Sequence, residues 1–97
     1  MKLAVFRPAA AADVEDAFWW YENQRDKLGE EFLGSVATCV ELVLRHPEAH
    51  PVVHRDTRRA LLQRFPYGLL YRILDDQILF VACFHVRRSP RAWSSRR

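Results

Sequence analysis

Residues 77–87 carry apolar side chains at both parities of an extended chain: Ile78, Phe80, Ala82 and Phe84 on one side, Leu79, Val81 and Cys83 on the other. A strand buried on both faces must lie inside a sheet that has a covering layer. The cover comes earlier in the chain. Between Ala9 and Leu28, the residues Val14, Phe18, Tyr21 and Leu28 recur at helical spacings and give one buried stripe. Asp13, Glu15 and Asp16 fall in the first half of that helix, where acids suit the positive end of its dipole. Gly29 punctuates the pattern. A second helix opens at Glu30 and Glu31, with Phe32, Val36, Cys39, Val40, Val43 and Leu44 along one side. It must end by His46, because Pro47 disfavours helix at the residue before it. The two helices are expected to fold back as an antiparallel hairpin against the sheet.

The remaining strands follow from punctuation. Residues 3–7 form a short apolar run stopped by Pro8, and residues 47–57, with two prolines and no periodicity, read as loop. Residues 58–65 form a strand confined by Pro66, and residues 67–74 form the next, with Asp75 and Asp76 as a tight turn into 77–87. One turn near Pro90 to Trp93 precedes a basic tail, residues 94–97, expected to fray. The predicted order is β-α-α-β-β-β. It describes an α+β domain over residues 1–97, a helical hairpin packed on a small antiparallel sheet.

The chain has 97 residues, 49% hydrophobic and with only three glycines, which suits one globular domain whose core is of modest size. No apolar run approaches the roughly 20 residues of a membrane span, and the N-terminal run is too short for a signal peptide, so a cytoplasmic location is expected. Cys39 and Cys83 sit inside apolar runs and read as reduced core residues.

Charge divides the chain in two. Residues 55–97 carry ten arginines against Asp56, Asp75 and Asp76, whereas residues 1–54 carry nine acids against five bases. An apolar sheet with that much fixed positive charge suits an anionic counterpart, nucleic acid or an acidic protein chain. Nearly all the bases are arginine, which favours planar bidentate contacts.

The cluster that carries candidate chemistry is Arg58, Arg59, Arg64, His85, Arg87, Arg88, Arg91 and Trp93. His85 and Arg87, two apart on a strand, are expected on one face. Metal-free RNA cleavage needs an acid, a base and cations around one phosphate. His85 would serve as acid or base, Arg87 would hold the phosphate and Trp93 would stack on a nucleobase. The alternative is a solvated basic face with His85 at a sheet end. His46, His50 and His54 repeat every four residues, but Pro47 and Pro51 break any helix that would stack them as metal ligands. No metal or cofactor is expected. Trp19, Trp20 and Tyr21 spread over roughly 200 degrees of helix, so Trp19 or Trp20 is expected at the surface as an interface residue or at the edge of the core.

Several of these segments resemble, in order and spacing, the RelE/ParE toxins of bacterial toxin–antitoxin, or plasmid-stabilisation, systems. They are Pro8 to Ala10, Asp13-Val14, Trp20-Tyr21-Glu22, Leu28-Gly29 with Phe32, and Pro47. Arg64 to Tyr67, Tyr71-Arg72-Ile73, Asp75-Asp76, and His85 to Pro90 with Trp93 continue the series. The resemblance implies the same α+β fold and an acidic antitoxin that wraps and neutralises the toxin in a hetero-oligomer. One branch of the family, RelE-like, cuts messenger RNA on the ribosome; the ParE branch poisons DNA gyrase. Nucleases of the first branch often place an arginine after the tyrosine that opens the middle strand, where this chain has Gly68 after Tyr67. They also tend to carry a tyrosine beyond the last strand, where this chain has Trp93, which has no hydroxyl. Basic positions look retained at Arg59 and Arg87, while a second basic companion falls at Leu61. These departures favour a ParE-like toxin that inhibits growth by binding, with gyrase as target. The alternatives are a ribosome-dependent endonuclease using His85, Arg87 and Arg64, and a degenerate relative that binds its antitoxin alone. For target or antitoxin binding the implied residues are Arg58, Arg59, Arg88, Arg91, Trp93, Trp19 and Trp20.

Overall fold

The computed structural model describes residues 1–96. Strand β1 (Leu3–Phe6) leads into helix α1 (Pro8–Gln24), helix α2 (Leu28–Arg45), and strands β2 (Val52–His54), β3 (Thr57–Leu61), β4 (Tyr67–Ile73) and β5 (Gln77–His85). Short 3-10 turns occupy Pro47–Ala49 and Pro90–Ala92. The strands form one sheet in the order β1-β5-β4-β3-β2. The α+β class and the helical hairpin are as expected. The sheet is mixed, not wholly antiparallel: β1 runs parallel to β5, Leu3 opposite Gln77 and Phe6 opposite Phe80. Between β1 and the rest of the sheet lies the helical hairpin, a connection long enough to permit a parallel pairing. Side-chain periodicity carries no information about strand direction.

The hairpin turns earlier than its glycine. Pro8 occupies the first turn of α1, where a missing N–H costs nothing. The break falls at Arg25 to Lys27, with Lys27 in the left-handed region at φ 70°. Glu22 reaches across this turn: its carboxylate accepts from Lys27 N and Gly29 N, both at 3.0 Å, and so caps the start of α2. Those bonds hold the Glu22 carboxyl below its usual range. Gly29 itself lies buried inside α2. A Cβ there would stand 2.8 Å from the Phe18 ring and carbonyl, so this glycine permits close approach of the helices.

Between Pro47 and Thr57, expected as loop, the chain adds β2, whose two-residue turn at Arg55 and Asp56 uses a left-handed Arg55 (φ 52°). The β3 strand stops at Leu61, short of residue 65, because Leu62 N bonds Tyr67 O and Arg64 turns left-handed at φ 72°. Phe65 then drops into the core against Tyr21 and Phe32.

One core fills the space between helices and sheet, where Phe32, Val43, Leu69, Tyr71, Ile78 and Phe80 are wholly buried. Burying each of these side chains contributes about 1.5–3 kcal/mol. The Tyr71 hydroxyl donates to Pro47 O, and burial pushes the phenol up to about 12. On the opposite face Leu70, Leu79, Val81 and Ala82 pack beneath Trp93. Both cysteines are free and buried, and burial raises Cys39 to about 11.

Candidate interaction site

The C-terminal end of β5 is shaped by a bulge. Leu70 pairs with Ala82 and Tyr71 with Phe80, so Val81 is an extra residue that reverses the alternation. Ile78, Phe80 and Cys83 therefore all face the helices, while Val81, Ala82 and Phe84 join the opposite face. His85 follows Cys83 in parity and meets Tyr67 edge-on, ring centroids 5.3 Å apart. Simple alternation had put Ala82 and Phe84 with Ile78, because an inserted residue leaves no mark in an apolar run.

The edge of β5 also loses its neighbour here. The β1 strand pairs only as far as Phe80 before Pro8 starts α1. Two side chains replace the missing strand. Asp13 accepts from Cys83 N at 3.0 Å, and Arg96 donates to Val81 O at 3.4 Å. The pair then closes on itself through Arg96 Nη1 and Asp13 Oδ2, at 2.5 Å. The Arg96 guanidinium also lies over the Phe84 ring, 4.7 Å from its centroid. Residues 94–96, expected to fray, thus include a link back to the first helix; Arg97 lies outside the described residues. Neither Asp13 nor Arg96 was a sequence candidate, and no local pattern joins positions 83 apart.

Two clefts adjoin this end. One, about 240 Å³, is lined by Asp13, Asp16, Trp20, Tyr67, His85 and Arg88, among others. Burial, with the neighbouring Tyr21 and Cys83 groups, raises the Tyr67 phenol. Cys83 is pushed up to about 12 by burial, Asp13 and Cys39. Neither offers a proton-transfer group near neutrality. The second cleft, about 120 Å³, includes Arg59, Gly68, Phe84, His85, Arg88 and Trp93 in its lining. Gly68 forms part of its wall: a Cβ there would meet the Arg59 stem at 3.1 Å.

The arginines differ in whether a carboxylate holds them. Arg25, Arg45, Arg64, Arg72 and Arg96 hold carboxylates. Arg59, Arg87, Arg88 and Arg91 are exposed and form no ion pair among the described residues. Arg88 is nevertheless placed, its guanidinium 5.1 Å from the centre of the Phe84 ring.

Of the residues named for RNA cleavage, His85 and Trp93 line one cleft, whereas Arg87 and Arg64 are not part of its lining. β5 ends at His85, so Arg87 lies in the turn beyond the strand, and its N–H donates to His85 Nδ1 at 3.1 Å. That bond leaves the proton of the neutral ring on Nε2. Arg64 pairs with Glu31 at 2.7 Å and lines a separate groove between α2 and β3. Trp93, expected to stack on a base, is 7% exposed and packs on the sheet, because the turn at Pro90 folds it back over Leu70 and Val81. Arg58 donates to Glu48 O and His50 O, holding the segment before β2 instead of facing a cleft. Trp19 and Trp20 are both at the surface, 55% and 57% exposed. His50 stands against Tyr71 and His54 against Trp93, on opposite faces of the sheet. Among the described residues no group of three or more His, Cys, Asp or Glu is placed to hold a metal. Nor is any helix of the described residues long and apolar enough to cross a membrane.

A solved structure described as "Chromosomal ParDE TA system from P. aeruginosa" shares this fold, with a TM-score of 0.64 at 21% identity. The match covers 88% of this chain and 96% of that one. No curated protein matches the sequence. The family model described as "ParE toxin of type II toxin-antitoxin system, parDE" matches residues 4–90. From β1 through the turn after β5, then, this chain belongs to the ParE toxin family of parDE type II toxin–antitoxin systems.

Proposed function

We propose that this toxin arrests growth by binding and blocking a macromolecular target, DNA gyrase, without bond chemistry of its own, and that a cognate acidic antitoxin holds it inactive. One observation carries the binding reading: neither Arg64 nor Arg87, the arginines named for a nuclease, lines the clefts that His85 lines, while unpaired arginines remain. Phosphate cleavage requires acid, base and cations at a single point. Here Arg64 is tied to Glu31, Arg87 has left the His85 strand and Trp93 is buried without a hydroxyl. Arg59, Arg88 and Arg91, by contrast, are exposed for docking. Membership of the ParE branch supports gyrase as the target. For the antitoxin, the exposed indoles of Trp19 and Trp20 support hydrophobic anchoring on α1, with an acidic segment crossing towards the free arginines.

Induced expression in a bacterial host tests this. The expected result is filamentation, DNA-damage signalling and arrest of replication before translation, all retained by His85→Ala. Rapid loss of translation with cleaved transcripts, abolished by His85→Ala, would replace this reading with the nuclease. No arrest at all would mark a degenerate relative that binds only an antitoxin.

A further inference from the structure

The two clefts at the end of β5 share Phe84, His85 and Arg88 as a common ridge yet present opposite charges on either side. We propose that together they form a docking surface for a mixed-charge protein segment. A carboxylate of that segment seats between Arg59 and Arg88, and a neighbouring lysine or arginine seats between Asp16 and Trp20. This deepens the binding reading above, on which it rests.

The basic side is built for a carboxylate. Its lining contains Arg59, His85 and Arg88 and no acid. Stacking on Phe84 holds Arg88 in place, and the wall at Gly68 lets the Arg59 stem lie against backbone. With one guanidinium held on a ring and the other carried on a seated stem, the two offer planar donors to a single acceptor group, and less ordering remains to be done on binding. The acidic side is built for a cation. Asp16 is exposed and forms no ion pair among the described residues, and Trp20 beside it is 57% exposed. A carboxylate next to an aromatic face attracts lysine or arginine. Arg96 already shows such a pairing beside β5, bonding Asp13 of α1 with its guanidinium over the Phe84 ring.

This charge order argues against a nucleic-acid strand. A strand carries a negative charge at every nucleotide, so one phosphate seated at Arg88 brings the next ones towards Asp16. The basic cleft also lacks an open aromatic face for a base, since Trp93 is buried, and the exposed indole lies on the acidic side. A protein segment with acid and base a few residues apart meets neither obstacle.

Amide-shift titration of the full chain at low salt tests the proposal. The probes are short synthetic peptides carrying one Glu and one Lys at varied spacing, an all-Glu peptide, and an oligo-deoxythymidine strand. Peptides of one mixed spacing should move amides in both clefts, around Gly68 and Arg88 and around Ala17 and Trp20. Arg88→Ala and Asp16→Asn should each weaken that peptide about tenfold, the loss of one charge-assisted contact. Both side chains are exposed, so folding should survive, with circular dichroism as the control. Tighter binding of the all-Glu peptide or the oligonucleotide than of every mixed peptide would overturn the proposal. So would mixed peptides that leave both clefts unmoved, or binding indifferent to Asp16→Asn. Failure of the toxin reading is distinguishable: cells unaffected by induction while mixed peptides still bind would remove that reading and leave this one.

Discussion

The helix-covered face of the sheet keeps Phe32, Val43, Tyr71 and Phe80 wholly out of water beneath two long helices. The opposite face relies on one indole, from the short turn at Pro90, and on an arginine reaching back from position 96. Both faces bury apolar residues, the first more of them and under regular structure stabilised along its length. The second depends on few contacts made late in the chain, the same contacts that shape the candidate site. Cover and site are therefore coupled on one face and separate on the other.

The strongest way to break this comparison is to remove the indole. Trp93→Ala should cost about 3–5 kcal/mol, the range for a buried aromatic, and lower Tm by more than about 10 °C. Leu70, Leu79 and Val81 would then face solvent. Urea unfolding checks it; a loss below about 1 kcal/mol would mean that the open face needs no lid.

A smaller effect is expected from the helical side, where two glycines should respond with opposite signs. Gly29→Ala forces a methyl against the Phe18 ring and carbonyl at 2.8 Å and should destabilise by about 1–3 kcal/mol. Gly34, in the same helix, has nothing within 4 Å of its Cβ position. Gly34→Ala should therefore stabilise by about 0.4–1 kcal/mol, through a less flexible unfolded chain and better helix propensity. Equal signs at the two positions would show that helix propensity, not interhelical packing, decides at Gly29.

Gly29 also shows what could be read in the sequence and what could not. The apolar stripes of both helices and the central strand were legible, because burial imposes a period on side chains. Gly29 was placed as a breaker since glycine's two uses, freedom of the backbone and absence of a Cβ, look alike in one dimension. The true turn at Lys27 uses a lysine with positive φ, made tolerable by the Glu22 cap. β2 is only three residues long, too short for alternation to register. In the site, the cationic residues Arg59 and Arg88 were visible as composition. Their sorting was not, because whether an arginine is free depends on carboxylates far away in sequence, as Glu31 is from Arg64 and Asp13 from Arg96. Trp93 was visible as an aromatic at the end of the chain; that it covers the sheet depends on the turn at Pro90.

The subtlest prediction concerns acid, and it separates the two regions by mechanism. Backbone donors at Lys27 and Gly29 lower the Glu22 carboxyl, and Arg64 and Arg25 lower that of Glu31. Both groups belong to the turn and first residues of α2, on the helical side. For a carboxyl whose folded pKa lies below its unfolded value, the unfolded chain binds more protons in the window between the two. The stabilisation is thus present above the ordinary carboxylate range and lost as pH falls through the folded value. Glu22→Gln should flatten that acid limb of the stability profile, and salt should reduce the Glu31 share, because its ion pairs are exposed. Trp93→Ala, which removes apolar contact and no charge, should lower the whole profile without changing its slope. An acid limb that steepens or vanishes in Trp93→Ala would show that the indole and the helical turn are not independent supports.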